Sequence, residues 1–499
     1  MDPEAFADHL LHPRGRDHTP AGAHAGAAGG AVCGDLIRVS LAVAGDRVLD
    51  AGFSASGCGA VTAAGSAAVA LIRGRPVLEA ARIGPSELAE ELGGLSPGKL
   101  HAADLTADAL HSALGAAVRA DAAFAPAPER TLVAMSGGVD SSVAAALLVE
   151  QGYDVVGATM KLFCYGDDVP DRPCCSLDSI NDARRVCERL GVPHYVLDLE
   201  DRFGRDVVRD FVDEYARGRT PIPCVRCNTF TKFRDLLRTA ALVDADWIAT
   251  GHYARVVDGA LYRGRDLSKD QTYFLWGVDR RVVRRMLLSV GDLTKPETRA
   301  VARRLGLAVV ADKVESQDIC FVPDGDHTKV IRRTLGADAP ALARGPFVTP
   351  DGRVVGEHDG HARYTVGQRR GLPGGFREPM FVVAIRPADR AVVIGPREAL
   401  LGRGVVAREV NWLADVPPLG AEVGVQVRHR ARAVPATLVR AERGGGRDGM
   451  GEIELALGEP VSAITPGQSL VLYDGDRVLG GGVIEAALGQ RVALPVVAA

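Results

Sequence analysis

The order of apolar and polar positions changes character twice along the chain. From Thr131 short β-branched runs alternate with helical ones: TLVAM, a glycine turn, SSVAAALLVEQG at helical period, then DVVGATMKLF as a strand. A second round follows, with helix SINDARRVCERLG, strand HYVLDL, a long charged helix from about Asp201, and strand DWIATGHY. Such alternation predicts a parallel sheet covered by helices on both faces, over 131–335. After about Gly336 helical patterns give way to short strands rich in Gly, Val and Arg: FVVAIRPADRAVVIG, EVGVQVRHRARAVPATLVRA and GQSLVLYDGDRVLGGGVI. These predict a small β-rich connector over 336–405 and a β-barrel over 406–499. Residues 121–130, DAAFAPAPER, read as a linker after an N-terminal module over 1–120, and GGGRDGMGE at 444–452 reads as a hairpin loop.

Composition narrows the setting. At ~150 residues per domain, the 499 residues hold about three or four domains. Hydrophobic residues make up 47% and charged residues 24%, which is globular. With a net charge of -4, attraction to nucleic acid has to come from local patches, of which Arg369-Arg370 and Arg428, His429, Arg430, Arg432 are candidates. Nine cysteines, at 33, 58, 164, 174, 175, 187, 224, 227 and 320, form no disulfide framework. The opening MDPEAFADHLLHPRGRD lacks the basic start and apolar stretch of a signal peptide, so a reducing cytoplasm without membrane attachment is expected.

The strongest chemical signal is Ser136-Gly137-Gly138-Val139-Asp140-Ser141-Ser142 between a predicted strand and helix. Glycines let the backbone approach a phosphate, the helix N-terminus presents amide groups, and the serines add hydroxyls. Asp140 is placed to hold Mg2+ or to orient the loop. The string lacks the lysine of GxxxxGK[ST]. It resembles the loop of ATP pyrophosphatases, which implies that ATP is split to an adenylate and pyrophosphate.

Four further strings narrow the resemblance: Thr250 to Arg255 (TGHYAR), Lys269 to Leu275 (KDQTYFL), Glu315 to Phe321 (ESQDICF) and Tyr364 to Leu372 (YTVGQRRGL). In this order they resemble the tRNA-specific 2-thiouridylase family. The resemblance implies a multidomain α/β protein: a parallel-sheet ATP pyrophosphatase (PP-loop) core, a C-terminal β-barrel, and tRNA as partner through its anticodon stem-loop. It assigns ATP contacts to Ala134, Met135, Ser136, Gly137, Gly138, Val139, Asp140, Ser141, Met160 and Gly251. Cys227 becomes the nucleophile and Cys320 the persulfide carrier, supplied by a cysteine desulfurase or sulfur carrier. His252, Lys269, Asp270, Gln271, Arg428, His429 and Gln468 become the tRNA interface. The chemistry is coherent. A uridine C2 carbonyl is a poor electrophile until its oxygen is adenylated, and a thiolate is a natural sulfur carrier.

Pro223-Cys224-Val225-Arg226-Cys227 places a CxxC where the family often has Asp three residues before the nucleophile. Cys224, Cys227 and Cys320 therefore suit a 4Fe-4S cluster with one open iron, and the sequence leaves this open against a Cys227–Cys320 disulfide mechanism. Cys164 and Cys187 read as buried hydrophobes, and Cys174-Cys175 receives no role.

Residues 1–120 resemble a second family, the NifU/IscU-type iron–sulfur scaffold, an α+β fold. DHLLHPRG, Val32-Cys33-Gly34-Asp35, Phe53 to Ala60 (FSASGCGA) and Leu100-His101 carry the likeness. Cys33, Asp35, Cys58 and His101 would then ligate iron or zinc. Ala102 stands where that family has its third scaffold cysteine, and LSPGK at 95–99 departs from the chaperone signal. Every residue assigned to adenylation and sulfur transfer lies beyond Thr131, so a 126–499 fragment is expected to keep activity with excess sulfide. The rival reading is an iron–sulfur or sulfur-delivery adaptor with a regulatory ATP site.

Overall fold

The computed structural model describes residues 3–29, 35–120, 129–163, 177–313, 319–322, 324–442 and 451–489. Cys33, Cys164, Cys174-Cys175, Glu315 to Asp318, and most of the 121–130 and 444–452 segments lie outside them. Two compact units form: Met1–Glu200 with Arg234–Tyr253 and Arg285–Phe321, and Asp201–Phe233 with Ala254–Arg284 and Val322–Ala499. The 131–335 stretch thus contributes to both. Among the described residues no helix is long and apolar enough to cross a membrane.

The first unit begins with an antiparallel sheet of His24–Gly29, Leu36–Ala44 and Arg47–Ser56, whose alternate positions are buried. Helix Gly59–Ile72, buried along nearly its whole length, packs on it closely at Gly65, where a Cβ would fall 2.5 Å from the Phe53 ring. The predicted parallel sheet follows, ordered Met286–Leu287, Trp247–Ala249, Arg130–Ala134, Asp154–Lys161, His194–Asp198, every neighbouring pair parallel. Val133, Val143, Ala144, Leu148, Val155 and Val186 form part of its core.

Helix Leu100–Ala120 belongs to both layers. It covers its own sheet and lies along the edge strand His194–Asp198, where a Cβ on Gly115 would fall 2.3 Å from the Val196 carbonyl oxygen. At this interface Arg184 donates to Asp108 at 2.9 Å, both buried. Burial pulls the Asp108 carboxyl up and the Arg184 guanidinium down, while their attraction opposes both. Beside them runs a chain of buried hydrogen bonds whose tautomers follow from its ends. His111 Nε2 donates to the Ile83 carbonyl at 2.9 Å, which leaves its Nδ1 to accept from His194 Nδ1 at 3.1 Å. Thr159 then donates to His194 Nε2 at 2.8 Å. The N-terminal module is thereby docked on the nucleotide domain by a buried polar interface.

Burial pushes His111 down to about 3 and His194 well below its ordinary value, so both are neutral near pH 7. Their folded pKa values lie below the unfolded ones, so the unfolded chain binds more protons and stability falls as pH drops below ~6.5. The expected loss is about 1.4 kcal/mol per pH unit for each histidine, or up to about 4 kcal/mol for the pair between pH 6.5 and 5. Denaturant unfolding at several pH values measures it. A chain as stable at pH 5 as at pH 7 contradicts the neutral pair.

In the second unit the connector forms a four-stranded sheet, Val354–His358, Gly345–Val348, Ala391–Gly395, Phe381–Arg386. The predicted barrel closes over six strands: Leu401–Trp412, Gly451–Ser462, Val434–Glu442, Glu422–Gln426, Ser469–Asp474 and Arg477–Leu488, which pairs back to the first. A hairpin, Ala254–Val257 and Ala260–Arg263, joins the barrel through Tyr262 and Arg477.

Candidate functional site

The loop Ser136–Ser142 leaves the C-terminal end of strand Arg130–Ala134 and opens helix Val139–Glu150, whose first amides have no intrahelical acceptor. Gly137 adopts φ +68°, and a Cβ there would collide with the Ser179 carbonyl oxygen at 2.1 Å. Serine hydroxyls hold the loop's shape: Ser141 Oγ accepts from Ser136 N at 3.1 Å, and Ser142 Oγ donates to Gly138 O at 2.9 Å. Gly251 lies so close that a Cβ would sit 2.4 Å from Ser141 N. Met160 is buried in strand Asp154–Lys161, Met135 is buried just past the end of strand Arg130–Ala134, and Ala134 is partly exposed. The arrangement is an anion cradle of backbone amides.

Two lysines that the sequence reading missed serve this loop. Lys295, nearly buried at the start of helix Lys295–Arg304, places its Nζ 2.7 and 2.9 Å from the two Asp140 carboxylate oxygens, and the Tyr253 hydroxyl donates to Asp140 at 3.0 Å. Lys313 donates to the Gly137 carbonyl at 3.0 Å and to Asp182 at 2.7 Å. Asp140 therefore orients a lysine and the loop. The only local signal was the capping box around Thr294 and Glu297, which announces a helix start and nothing about phosphate. Asp140→Asn or Lys295→Met is expected to lower kcat/KM for ATP by about 10²- to 10³-fold, with little further loss when combined, because the two act as one unit. Steady-state kinetics of both singles and the double check this; additive losses contradict it.

In the second unit Cys224 is exposed on the short helix Pro223–Arg226, and Cys227, 5% exposed, opens a π-helical turn Cys227–Lys232. Such turns recur at functional sites. Arg226, between the two cysteines, ties this helix to the barrel: Nη1 and Nη2 lie 2.5 and 3.2 Å from Glu409, and Nε 3.1 Å from Asp210. Asn228 donates to the Phe274 carbonyl at 2.9 Å. Against Phe274 and Tyr273 packs His429, ring centroids 4.6 and 5.9 Å away, its pKa lowered by burial. Arg428 beside it is exposed and donates to the Ala463 carbonyl. Asp270 is buried and accepts from Arg263, Gly264 N and Thr272, which closes the turn that carries the half-buried Lys269 and Gln271. Gln468 donates to the Thr220 carbonyl at 2.8 Å, and Tyr273 to the Ser469 carbonyl. Lys269, Gln271, Arg428, His429 and Gln468 thus gather about one aromatic turn, to which the Cys227 helix is also stitched. His252, accepting or donating at 2.7 Å with Thr250, and Cys320, partly exposed, belong to the first unit.

In the N-terminal module Asp35, Cys58 and His101 converge, their ligand atoms all within 4.8 Å of one another. The Asp35 carboxylate, held below its usual range first by the Cys58 backbone amide, lies 2.8 Å from His101 Nε2 and 3.2 Å from Cys58 Sγ. This donor set fits a transition metal. Ala102 is fully buried. Cys187 is buried with its thiol pushed up to about 12, an inert hydrophobe as expected.

Comparison with known proteins agrees with this division. Residues 129–324 match the tRNA methyl transferase HUP domain, 333–396 the tRNA methyl transferase PRC-barrel domain, 402–484 the aminomethyltransferase beta-barrel domain, and 2–120 the NifU-like N terminal domain. A tRNA-specific 2-thiouridylase MnmA of Rhodospirillum centenum is 50% identical over 376 residues, covering 73% of this chain and 93% of that one. The bifunctional protein NifU/MnmA of Rubrobacter xylanophilus is 43% identical over 494 residues, covering 96% and 97%. The chain belongs to the tRNA-specific 2-thiouridylase family. Its NifU-like module is shared with the Rubrobacter relative, while a Carboxydothermus hydrogenoformans member, 46% identical, matches 72% of this chain over 98% of its own length. Within the family frame the PP-loop core, the barrel and the N-terminal module stand as the sequence led us to expect.

Proposed function

We infer that this chain is an ATP-dependent tRNA-uridine 2-sulfurtransferase. ATP binds on the loop Ser136–Ser142, with Mg2+ carried on its phosphates. The C2 oxygen of the wobble uridine, at tRNA position 34, attacks the α-phosphorus, the bond to pyrophosphate breaks, and pyrophosphate leaves into the amide cradle. The target base lies in a single-stranded loop, so unstacking it is cheap. A Cys320 persulfide then attacks C2, and AMP departs with the former C2 oxygen. The Cys227 thiolate next attacks the Cys320 sulfur, which breaks the S–S bond, releases 2-thiouridine and closes a Cys227–Cys320 disulfide that an external thiol reduces. A cysteine desulfurase or sulfur carrier reloads Cys320, in the reducing cytoplasm.

The observation that carries this reading is the Asp140–Lys295 pair on a glycine-rich loop that opens a helix N-terminus, in a member of this family. In the second reading Cys224, Cys227 and Cys320 hold a 4Fe-4S cluster, whose open iron would supply bound sulfide. The CxxC favours it, since i and i+3 place Cys224 and Cys227 on one side of a helical turn. Asp35, Cys58 and His101, with Cys33, would hold iron or zinc in the N-terminal module. The adenylation step is tested with tRNA labelled by 18O at uridine C2. The label is expected in AMP; label released to water without entering AMP contradicts adenylation.

A further inference from the structure

The string Tyr364 to Leu372 has identified a family so far and has received no role. In the structure it forms a wall of an open pocket of about 590 Å³ in the connector. That volume lies within the range of small-ligand sites. Three rings form a cluster at the pocket: Phe347, His358 and Tyr364, with centroids 5.1 to 5.4 Å apart. Phe347 and His358 are buried, and Tyr364 alone is partly exposed. Glu357, Asp359 and Arg363 are exposed around the mouth.

The loop is built to hold this shape. Gln368 is tethered at both ends of its amide, accepting from Thr365 N at 3.1 Å and donating to the Arg370 carbonyl at 3.0 Å. Gly367 and Gly371 take φ +90° and +76°, which a side chain would resist. Gly367 N donates to Val382 O, and Val382 N to Gln368 O, which anchors the loop to the sheet. Arg369 and Arg370 are exposed on this loop, immediately before Gly371 of the pocket lining.

His358 lines the pocket, and its hydrogen bonding is incomplete. Its Nε2 donates to the Arg390 carbonyl at 3.0 Å, so Nδ1 of the neutral ring is an acceptor, and that buried atom finds no partner among the described residues. Burial lowers the pKa of His358, which keeps the ring neutral. A partly exposed aromatic ring, the exposed carboxylate of Glu357 and three exposed arginines make a composite of stacking face, amino-group reader and phosphate binder. Carboxylates read the amino group of cytosine, aromatic rings stack bases, and arginines hold phosphate.

We propose that the connector pocket takes one unpaired nucleotide of the tRNA, a base with an exocyclic amino group, stacked on Tyr364, its amino edge toward Glu357, its phosphate among Arg363, Arg369 and Arg370. The proposal rests on the tRNA reading above and adds a second recognition point on the connector. The test is direct tRNA binding by the full chain, which needs no turnover. Tyr364→Leu is expected to raise the Kd for tRNA about 5- to 100-fold, the range of one lost base stack. Tyr364→Phe, which keeps the ring, is expected to bind as the unaltered chain does. For the exposed Glu357, Glu357→Ala is expected to abolish the preference of the unaltered chain for oligocytidylate over oligouridylate in competition with tRNA. KM for ATP is expected to stay unchanged throughout, because the ATP loop Ser136–Ser142 keeps all its own residues. Unaltered tRNA affinity in a folded Tyr364→Leu chain overturns the proposal, as does equal competition by the two oligonucleotides with the unaltered chain. Unaltered tRNA affinity with a lost response to a sulfur-donor protein also overturns it, and reassigns the pocket to that protein. A chain that binds tRNA through the pocket yet makes no 2-thiouridine would refute the proposed function and leave this inference standing.

Discussion

Asp108→Ala is expected to cost the full chain about 3–5 kcal/mol, because it strands the Arg184 guanidinium, 1% exposed, without its carboxylate. Arg184 keeps only neutral partners at hydrogen-bonding distance, Asn181 Oδ1 at 2.8 Å and the Asp104 carbonyl at 3.2 Å, and its Nε already has none among the described residues. Removing both charges together, as Asp108→Leu with Arg184→Met, is expected to leave stability within about 2 kcal/mol of the parent. Equilibrium unfolding of the three chains measures this. Equal losses in the single and double variants would show that the pair carries no burial penalty of this kind. Since whole domains are stable by only about 5–15 kcal/mol, the single change removes a large fraction of the total. The same interface reverses the expectation that a 126–499 fragment keeps activity. Deleting the N-terminal module uncovers the edge strand His194–Asp198 and the apolar and histidine surface that helix Leu100–Ala120 covers, so the fragment is expected to aggregate or lose ATP binding. A monomeric, fully active fragment contradicts this.

Cys224→Ala separates the two sulfur mechanisms and has an all-or-none outcome. In the persulfide mechanism Cys224 takes no part, and the variant keeps near-parental activity. In the cluster mechanism the variant loses both the iron-dependent visible absorption and activity with sulfide. An active, iron-free variant ends the cluster reading, and an inactive one that has lost iron ends the disulfide reading. Cys227→Ala is expected to be inactive in both.

The parts legible in the sequence were those whose chemistry is local. The glycine-rich loop declared itself because strand, turn and helix N-terminus are contiguous, and the barrel because its strands alternate with tight turns. The convergence of Asp35, Cys58 and His101 was legible through matched strings, although the three span 66 residues. Lys295 and Lys313 were invisible, since an isolated lysine carries no pattern and each meets the loop across more than 150 residues. The docking role of helix Leu100–Ala120 was hidden for a different reason. An alanine-rich helix buried on two sides has the same apolar stripe as one buried on a single side, and Gly115 and His111 gave no periodic signal of a second partner. Nor could pattern alone show that 201–233 and 254–284 group with the barrel, because that depends on pairs such as Arg226 with Glu409 and Asn228 with Phe274. Asp270 illustrates the same limit. Its family string places it at the RNA interface, while its carboxylate is spent inside the turn that presents Lys269 and Gln271.

The central claim is that one chain couples ATP cleavage to sulfur insertion in tRNA, and nucleoside mass spectrometry of tRNA after incubation with the full chain, ATP, a thiol reductant and a cysteine desulfurase with cysteine as persulfide source tests it most directly. The account predicts 2-thiouridine at the wobble position, with one AMP and one pyrophosphate formed for each sulfur inserted, and the rates of all three lowered together, about 10²- to 10³-fold, in an Asp140→Asn chain. Unmodified tRNA from a folded, ATP-binding chain that instead passes iron–sulfur clusters to an apoprotein would contradict it and establish the adaptor reading.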